Sequence, residues 1–460
     1  MERIYNLETI KYIGKQVKVC GWTQRVRSHG QIIFIDLRDK SGILQLVFTP
    51  KEKELYETAQ KIRPEWVIGI EGVITERPKT MINPKIETGK VELHPEKLEI
   101  FSEAKTLPFD FQDLKVNLPV LLDFRPLTLR NEKIKAIFKI QEQIIYTFRN
   151  TLKEMNFTEF QAPMIVPSNA EGGAEVFHID YYKHDAYLAQ SPQLYKQILV
   201  GVFEKVFTVT HVFRAEPSIT TRHLSEYISL DAEMGFINSW EDLMDTCEKL
   251  IKNIFSGLQN NCTKELEMYQ AILPKISEKI PRLKMREAQE IIFQRTGRDN
   301  RKEIDLEPED EKEICKFTKE KYNSELVFIT HYPTKKRPFY TFADPKDPEY
   351  TLSFDLLCRG LEIVTGGQRI NDYEKLVDNL KKWGNKVENF EFYLQTFKYG
   401  FPPEGGFALG TERIAKQVLG LENVREASLF PRDMERIDQR LSILQPKKKK
   451  KTKTSKKSKK

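Results

Sequence analysis

Apolar and polar residues alternate with period two along QVKVCGWTQRVR, QIIFIDLRD, GILQLVF, WVIGIEGVITER and KVELHPEKLEIF, all N-terminal of residue 102. That alternation predicts strands with one buried face. Turn residues fall between them at His29-Gly30, Lys40-Ser41-Gly42 and Asn83-Pro84, and KEKELYETAQKI after the third strand reads as a helix. Five strands with a helix after the third is the layout of an OB-fold barrel, here over residues 1–104, whose second and third strands commonly meet an oligonucleotide. Pro108, Pro119 and Pro126 then interrupt residues 105–130, which read as a hinge. From Asn131 the period changes: Ile134, Ile137, Phe138, Ile140, Ile144, Ile145, Phe148 and Leu152 recur at three- and four-residue steps, predicting a long amphipathic helix. TEFQAPMIVPS follows it, and Pro163 cannot continue a helix.

The rest of the chain, 131–446, reads as one larger domain. SNAEGGAEVF (168–177) is a Gly-containing loop suited to a mobile lid, with Glu171 and Glu175 on it. LAQSPQLYKQILV (188–200) begins as a strand, turns at Ser191-Pro192 and enters a helix with Gln193 and Lys196 near its start. VFTVTHVF (206–213) and YISLDAEMGF (227–236) read as two strands around a loop rich in charge. Residues 237–330, with the acidic run DLEPEDEKE, read as an inserted, solvated, α-rich module without chemistry. VFITHYP, PFYTFA and YTLSFDLLCRGLEIVTGGQRI return to strand character, and FPPEGGFALGTERIAKQVLGL reads as a Gly-rich turn running into a helix.

Charge and cysteine content narrow the class. The formal net charge is +7, but residues 447–460 hold ten lysines, so the remainder carries −3: a near-neutral body and a polycationic tail of disordered composition. Such a tail adds salt-sensitive affinity for nucleic acid or is simply solvated. Five scattered cysteines with no CxxC pair suit reduced thiols in a cytoplasmic protein and support no zinc site. No apolar run approaches bilayer length.

The residue types suggest a polyanion site. Arg214 and Arg222 between two strands can grip phosphate oxygens in bidentate pairs, while Glu216 and Glu233 would repel a bare phosphate. A site that reads both a phosphate and an amine or base edge suits the mixture, and so does a salt-bridged hairpin loop. Lys196 opposes the helix dipole at its position, a cost more easily understood if it holds a carboxylate. Glu362 with Gly366-Gly367 behind it suits metal-bound phosphate. On the barrel, Phe34 can stack on an unpaired base and Gln45 can read a base edge, with Arg25 and Arg27 arriving from the first strand.

FRAE (213–216), TRHL (221–224) and a strand ending in an acidic pair resemble motif 2 of the class II aminoacyl-tRNA synthetases, in particular the aspartyl-tRNA synthetases of the archaeal and eukaryotic kind. The helix, strand and proline from Asn131 resemble motif 1, which forms the dimer interface in that class. GLEIVTGGQR, then GTER and REASLFPRD, resemble motif 3 and the strand before it. Departures are Ala408 for a common Gly, Thr365 for a common Ser and Pro217 after FRAE. The resemblance implies an α+β fold: an N-terminal OB-fold barrel plus an antiparallel class II sheet flanked by helices. It implies activation of L-aspartate by ATP with Mg²⁺, then transfer to tRNA(Asp), with tRNA(Asn) as a second acceptor to consider, by a cytoplasmic homodimer.

Residue by residue, the resemblance implies catalytic roles for Arg214, Glu362 and Arg413. It implies contacts to aspartate from Glu171, Ser191, Gln193, Lys196, Arg214, Asp231, Thr365 and Arg369. For ATP it implies Arg214, Glu216, Arg222, His223, Leu224, Glu362, Gly410, Glu412 and Arg413, and for the metal Asp355, Glu362 and Thr365. Arg27, Phe34, Gln45 and Glu92 would meet the anticodon. Lys196 and Arg369 together would select aspartate, because asparagine would leave both cations buried and unpaired; asparaginyl enzymes typically lack the lysine of QSPQLYKQ. An asparaginyl enzyme, a non-catalytic RNA-binding paralogue and an amidating asparagine synthetase on the same fold are the alternatives.

Overall fold

The computed structural model describes residues 1–167, 176–217 and 220–444, and the chain divides into two compact units, Met1–Asp110 and Phe111 onward. The lid segment around Glu171 and Glu175 and the lysine tail lie outside the described residues. In the first unit, β1 (Gln16–His29), β2 (Ile32–Arg38), β3 (Ile43–Phe48), β4 (Val67–Glu76) and β5 (Val91–Ser102) close into a barrel in the order β1-β2-β3-β5-β4, with α1 (Lys53–Ala59) after β3. Closure depends on the length of β1. Its first half pairs with β4 and its second half with β2, with an irregularity between Thr23 and Arg25 where it bends. Gly21, two residues before that bend, leaves no room for a side chain, since a Cβ there would strike the Arg38 carbonyl. Val19, Ile33, Ile35, Leu37, Leu44, Leu46, Ile70 and Leu93 fill the interior. The period-two alternation leaves Arg27, Phe34, Gln45 and Glu92 on the outer face.

The second unit opens with α2 (Leu118–Asp123), α3 (Arg125–Thr128) and the 23-residue α4 (Glu132–Glu154). Asn131 starts α4 by accepting from the Lys133 and Ile134 amides, satisfying donors that the helix itself leaves orphaned. The short β6 (Thr158–Glu159) follows, and β7 (Ile165–Val166), β8 (His178–Tyr181) and β9 (His184–Leu188) make a small separate sheet. Then come α5 (Gln193–Phe203), β10 (Lys205–Phe213), β11 (Glu226–Gly235), α6 (Glu241–Asn261), α7 (Thr263–Met268), β12 (Arg282–Lys284), α8 (Met285–Thr296), α9 (Pro308–Tyr322) and β13 (Leu326–Thr330). A hairpin, β14 (Ala343–Asp344) and β15 (Asp347–Thr351), precedes β16 (Ser353–Cys358) and β17 (Leu361–Gln368). Helices α10 (Tyr373–Lys382) and α11 (Glu391–Lys398), strand β18 (Glu404–Gly410) and helix α12 (Thr411–Leu419) complete the unit.

Among the described residues eight strands form the main sheet in the order β12-β13-β16-β17-β18-β11-β10-β6, antiparallel except for the pairs at its two edges. Phe207, Leu230, Ala232, Leu356, Val364, Phe407 and Leu409 face a core shared with Ile137, Ile144 and Phe148 of α4, Leu250 and Ile254 of α6 and Ile414 of α12. The interleaved positions face the other way, and there the site is built.

Three expectations change. Residues 237–330 are not an inserted module: α6 packs on α4 in the main core, and β12 and β13 are strands of the main sheet. The acidic run on α9 is not wholly solvated either, since Asp310 and Glu311 are buried. The glycines of FPPEGGFALG lie in strand β18 rather than in a turn. A Cβ at Gly406 would overlap Glu233 and the Ala232 carbonyl, so glycine lets two strands and a buried carboxylate close up there.

Residues 111–130, read as part of a hinge, are tied into the second unit by Arg125. Its buried guanidinium donates to the carbonyls of Glu426, Ser428 and Leu429 and lies over the Phe138 ring, with no carboxylate at ion-pair distance among the described residues. Burial pulls its pKa down to about 10. Arg125→Leu would leave three carbonyls without their donors and is expected to cost about 2–4 kcal/mol. Urea unfolding of the second unit checks this; a loss below about 0.5 kcal/mol, the size of an ordinary surface change, would contradict it.

Candidate active site

Register places the polar residues. Thr208 pairs with Asp231, Asp231 with Ala408, Ala408 with Thr365 and Thr365 with Asp355, one row across five strands. Two residues along, Val206, Glu233, Gly406, Gly367 and Ser353 form the next row. Glu362 joins this face only because β17 carries one extra residue, Val364 pairing with Leu356 but Glu362 with Leu357. Without that bulge, two residues three apart would point to opposite faces. Gly366 and Gly367 serve packing here: a Cβ would meet Phe354 and Phe407 at the first and the Leu352 carbonyl at the second.

The face opens on a cavity of about 490 Å³. Ser191, Gln193, Lys196, Arg214, Glu216, Arg222, His223, Leu224, Asp231, Asp355, Glu362, Thr365, Arg369, Gly410, Glu412 and Arg413 all line it. Of the residues expected in this region only Glu171 lies outside the described residues.

At one end Lys196, 1 % exposed, puts Nζ 2.9 Å from Asp231 and 3.0 Å from Glu233. Burial alone would pull its pKa down, but the two carboxylates outweigh that and hold it above the ordinary value. Arg369 donates through Nε to Glu233 at 2.8 Å. Burial would raise Glu233, and the Arg369 and Lys196 charges override it and hold it below the usual range. Gln193 donates to Gln197 at 3.0 Å, and Ser229 hydrogen-bonds Asp231. One expectation therefore fails on its physics: Lys196 and Arg369 are both paired with protein carboxylates, so a missing ligand charge does not leave them bare. Selection between a carboxylate and an amide must work through exchange of partners.

At the other end every cation also has an acidic neighbour. Arg214 lies 3.7 Å from Glu216 and over the Tyr227 ring. Arg413 donates to the Glu362 carbonyl at 3.1 Å and stands 3.5 Å from its carboxylate. Arg222 donates through Nη2 to Glu311 of α9 and to the Gly360 carbonyl, clamping its loop to that helix. Burial pushes Glu311 up to about 7 despite Arg222. His223 is held below its ordinary value, first by burial and then by Arg413, Arg214 and Arg222, while Glu216 works the other way. Arg337 was not foreseen: it donates to Asp355 at 2.8 Å and to Thr365 at 3.0 Å and lies on the Tyr332 ring.

A family model of tRNA synthetases class II (D, K and N) matches residues 117–434, and one of the OB-fold nucleic acid binding domain matches residues 17–101. The chain belongs to the class II tRNA synthetases. Among its relatives, an aspartate–tRNA(Asp/Asn) ligase of Aeropyrum pernix is 41% identical over 92% of this chain and 96% of its own. An aspartate–tRNA(Asp) ligase of Pyrococcus abyssi is 42% identical over the same shares. Among solved structures, the asparaginyl-tRNA synthetase of Pyrococcus horikoshii complexed with asparaginyl-adenylate superposes with TM-score 0.87 at 32% identity, covering 95% of this chain and 99% of that one. The aspartyl-tRNA synthetase of Entamoeba histolytica gives 0.82 at 31% identity, covering 93% and 90%.

The synthetase's expected metal ligands fit a divalent cation in part. Burial raises Glu362, and the nearby Asp355 charge adds to that, so these two carboxylates repel across the cavity. Asp355 and Thr365 are meanwhile engaged by Arg337, and among the described residues no three His, Cys, Asp or Glu side chains are arranged to hold a metal by themselves. Magnesium characteristically takes one or two carboxylates together with substrate phosphates, and Glu362 with Asp355 meets that need.

On the synthetase's barrel, the expected anticodon residues share one face. Arg27 pairs in register with Phe34 and donates to Asp36 at 2.6 Å, and Asp36 pairs with Gln45. Gln45 donates to Glu92 at 3.3 Å, and Arg77 and His94 also approach Glu92. Phe34 is half-buried there and takes no part in the barrel core.

Glu412 lines the cavity of the synthetase, yet both its oxygens accept the Ile228 amide, and burial raises it to about 8. Unfolded, it ionises near 4.5, so between that value and about 8 folding takes up a proton and stability falls as the pH rises. Glu412→Gln stays neutral and is expected to gain roughly 2–4 kcal/mol on the wild type between about pH 5 and pH 8. Urea midpoints across that range check it, and a constant difference between the two proteins would contradict it.

Proposed function

We propose that this synthetase is an aspartate–tRNA ligase. The carboxylate of L-aspartate attacks the α-phosphate of ATP and pyrophosphate leaves; a ribose hydroxyl of the terminal adenosine of tRNA(Asp) then takes the aspartyl group from the adenylate and AMP leaves. The observation that carries the choice of aspartate is the buried pair Lys196 and Arg369 at one end of the cavity, with the relatives named as aspartate–tRNA ligases beside it. The side-chain carboxylate of aspartate takes a share of both cations, while Asp231 receives its ammonium and Gln193 and Ser191 orient it. Asparagine brings an amide that cannot replace a carboxylate in an ion pair.

Arg214 lies where charge grows on the α-phosphate, and in a cavity with little water such stabilisation is strong. Arg413 and His223 meet the outer phosphates, Glu216 reads the adenine, and the Gly410 backbone and Leu224 flank it. Arg222 serves first as the clamp on its loop and reaches a phosphate only by giving up Glu311. Glu362 with Asp355 would hold Mg²⁺, which would supply positive charge offsetting repulsion between the carboxylate and the triphosphate. Positioning by these residues supplies most of the rate.

Arg27, Phe34, Gln45 and Glu92 hold the anticodon. The protein acts as a homodimer, a reading supported by exposed Val202, Phe203 and Phe236, apolar side chains of the kind subunits cover. Among the described residues no helix is long and apolar enough to cross a membrane.

Charging of tRNA(Asp) and tRNA(Asn) transcripts, each with aspartate and with asparagine, tests the reading. Aspartate on tRNA(Asp) is the expected product, and aspartate on tRNA(Asn) as well would give it the double specificity named for the Aeropyrum relative. Charging with asparagine alone would overturn it. Phe34→Ala is expected to raise the KM for tRNA by about tenfold, the loss of one stacked base; a change below about twofold would remove Phe34 from the anticodon site.

A further inference from the structure

Among the described residues three buried carboxylates, Asp231, Glu233 and Glu404, stand around two cations, Lys196 and Arg369. Asp231 and Glu233 have cationic partners, whereas Glu404, at the start of β18 and with no exposed surface, has none at ion-pair distance among the described residues. We propose that Glu404 is a specificity-determining positioning residue: its carboxyl donates a hydrogen bond to Glu233 and holds that carboxylate in place while the substrate's side-chain carboxylate takes its share of Lys196 and Arg369.

Hydrogen-bond direction locates the proton. A guanidinium only donates, so Arg369 Nη2 at 3.5 Å fixes the Gln193 oxygen toward itself and turns the Gln193 amide nitrogen to Gln197. The Gln197 oxygen accepts there and also from the Tyr393 hydroxyl at 3.2 Å, which turns the Gln197 nitrogen toward Glu404 Oε1 at 2.6 Å. Oε1 is therefore an acceptor. Oε2 of Glu404 is buried with no hydrogen-bond donor reaching it, and its hydrogen-bonding neighbour is the Glu233 carboxylate, whose own Oε2 lies 3.0 Å from Lys196 Nζ. Two neighbouring carboxyl groups share a hydrogen bond when one of them carries a proton. Glu404 is the one without a cation, and burial, with the Glu233 charge adding, pushes it well above the usual carboxylate range, against Arg369 and Gln197.

The groups around Glu404 are thus Glu233 from β11, Arg369 just after β17, Gln197 and Lys196 from α5 and Tyr393 from α11, whose own hydroxyl burial keeps neutral. With Glu404 neutral, the cluster holds two negative and two positive charges. An ionised Glu404 would leave it net negative and opposed to a second carboxylate.

This inference rests on aspartate being the substrate, so wild-type charging with aspartate is measured first; its failure would overturn that reading. Glu404→Gln keeps a donor toward Glu233 and is expected to hold the aspartate KM within about threefold of wild type. Glu404→Met, of similar volume without a donor, is expected to raise it about tenfold while the ATP KM stays put, the loss of one hydrogen bond to a charged group. Infrared difference spectra of wild type against Glu404→Gln at neutral pH should show loss of a protonated carboxyl band. An unchanged aspartate KM in Glu404→Met, an equal loss in both variants, or no such band would overturn the proposal. The infrared result does so whatever the substrate.

Discussion

The ion pairs of Lys196 set the terms for everything around them. An ammonium withdrawn from water is costly, and it persists only where paired carboxylates and further hydrogen bonds offset the desolvation. Asp231 and Glu233 come from one strand, Arg369 from just past the end of another, and the lysine from helix α5, packed on β10 and β11. No two of these elements would suffice. The close approach at Gly406, the alternation along β11 and the placement of α5 are consequences of housing one charge.

The same rule extends along the cavity. Arg214, Arg222, Arg337 and Arg413 each have an acidic neighbour, Glu216, Glu311, Asp355 and Glu362 in turn. A cavity of isolated cations would be expensive to fold, whereas one of paired cations is stable and can still bind anions by exchange. Selectivity then depends on which ligand makes a better partner than the protein's own carboxylate. A second carboxylate can do so and an amide cannot, which makes the paired state compatible with choosing aspartate.

Much of this was legible in the chain. The barrel's alternation, the period of α4 and the charged residues of the two strands around residue 220 pointed to their places, because each depends on local pattern. What escaped notice depends on neighbours far away in sequence. The extra residue in β17 exists only relative to its partner strand, and nothing in GLEIVTGG marks it. Glu311 lies within an acidic run that looks solvated, yet α9 turns it and Asp310 inward while Glu309 stays exposed. Arg337 sits in KKRPF, a stretch without periodicity, and Glu404 in a glycine run that looked like a turn. Residues 237–330 read as separate because helices dominate them, although two of their short strands extend the main sheet.

The claim that paired cations select a carboxylate by exchange is tested most directly without tRNA, by ATP–pyrophosphate exchange driven by L-aspartate or by L-asparagine. The account predicts exchange with aspartate favoured by about a hundredfold or more in kcat/KM, the scale expected when a site built for one polar partner rejects another. Equal exchange with both amino acids would contradict it.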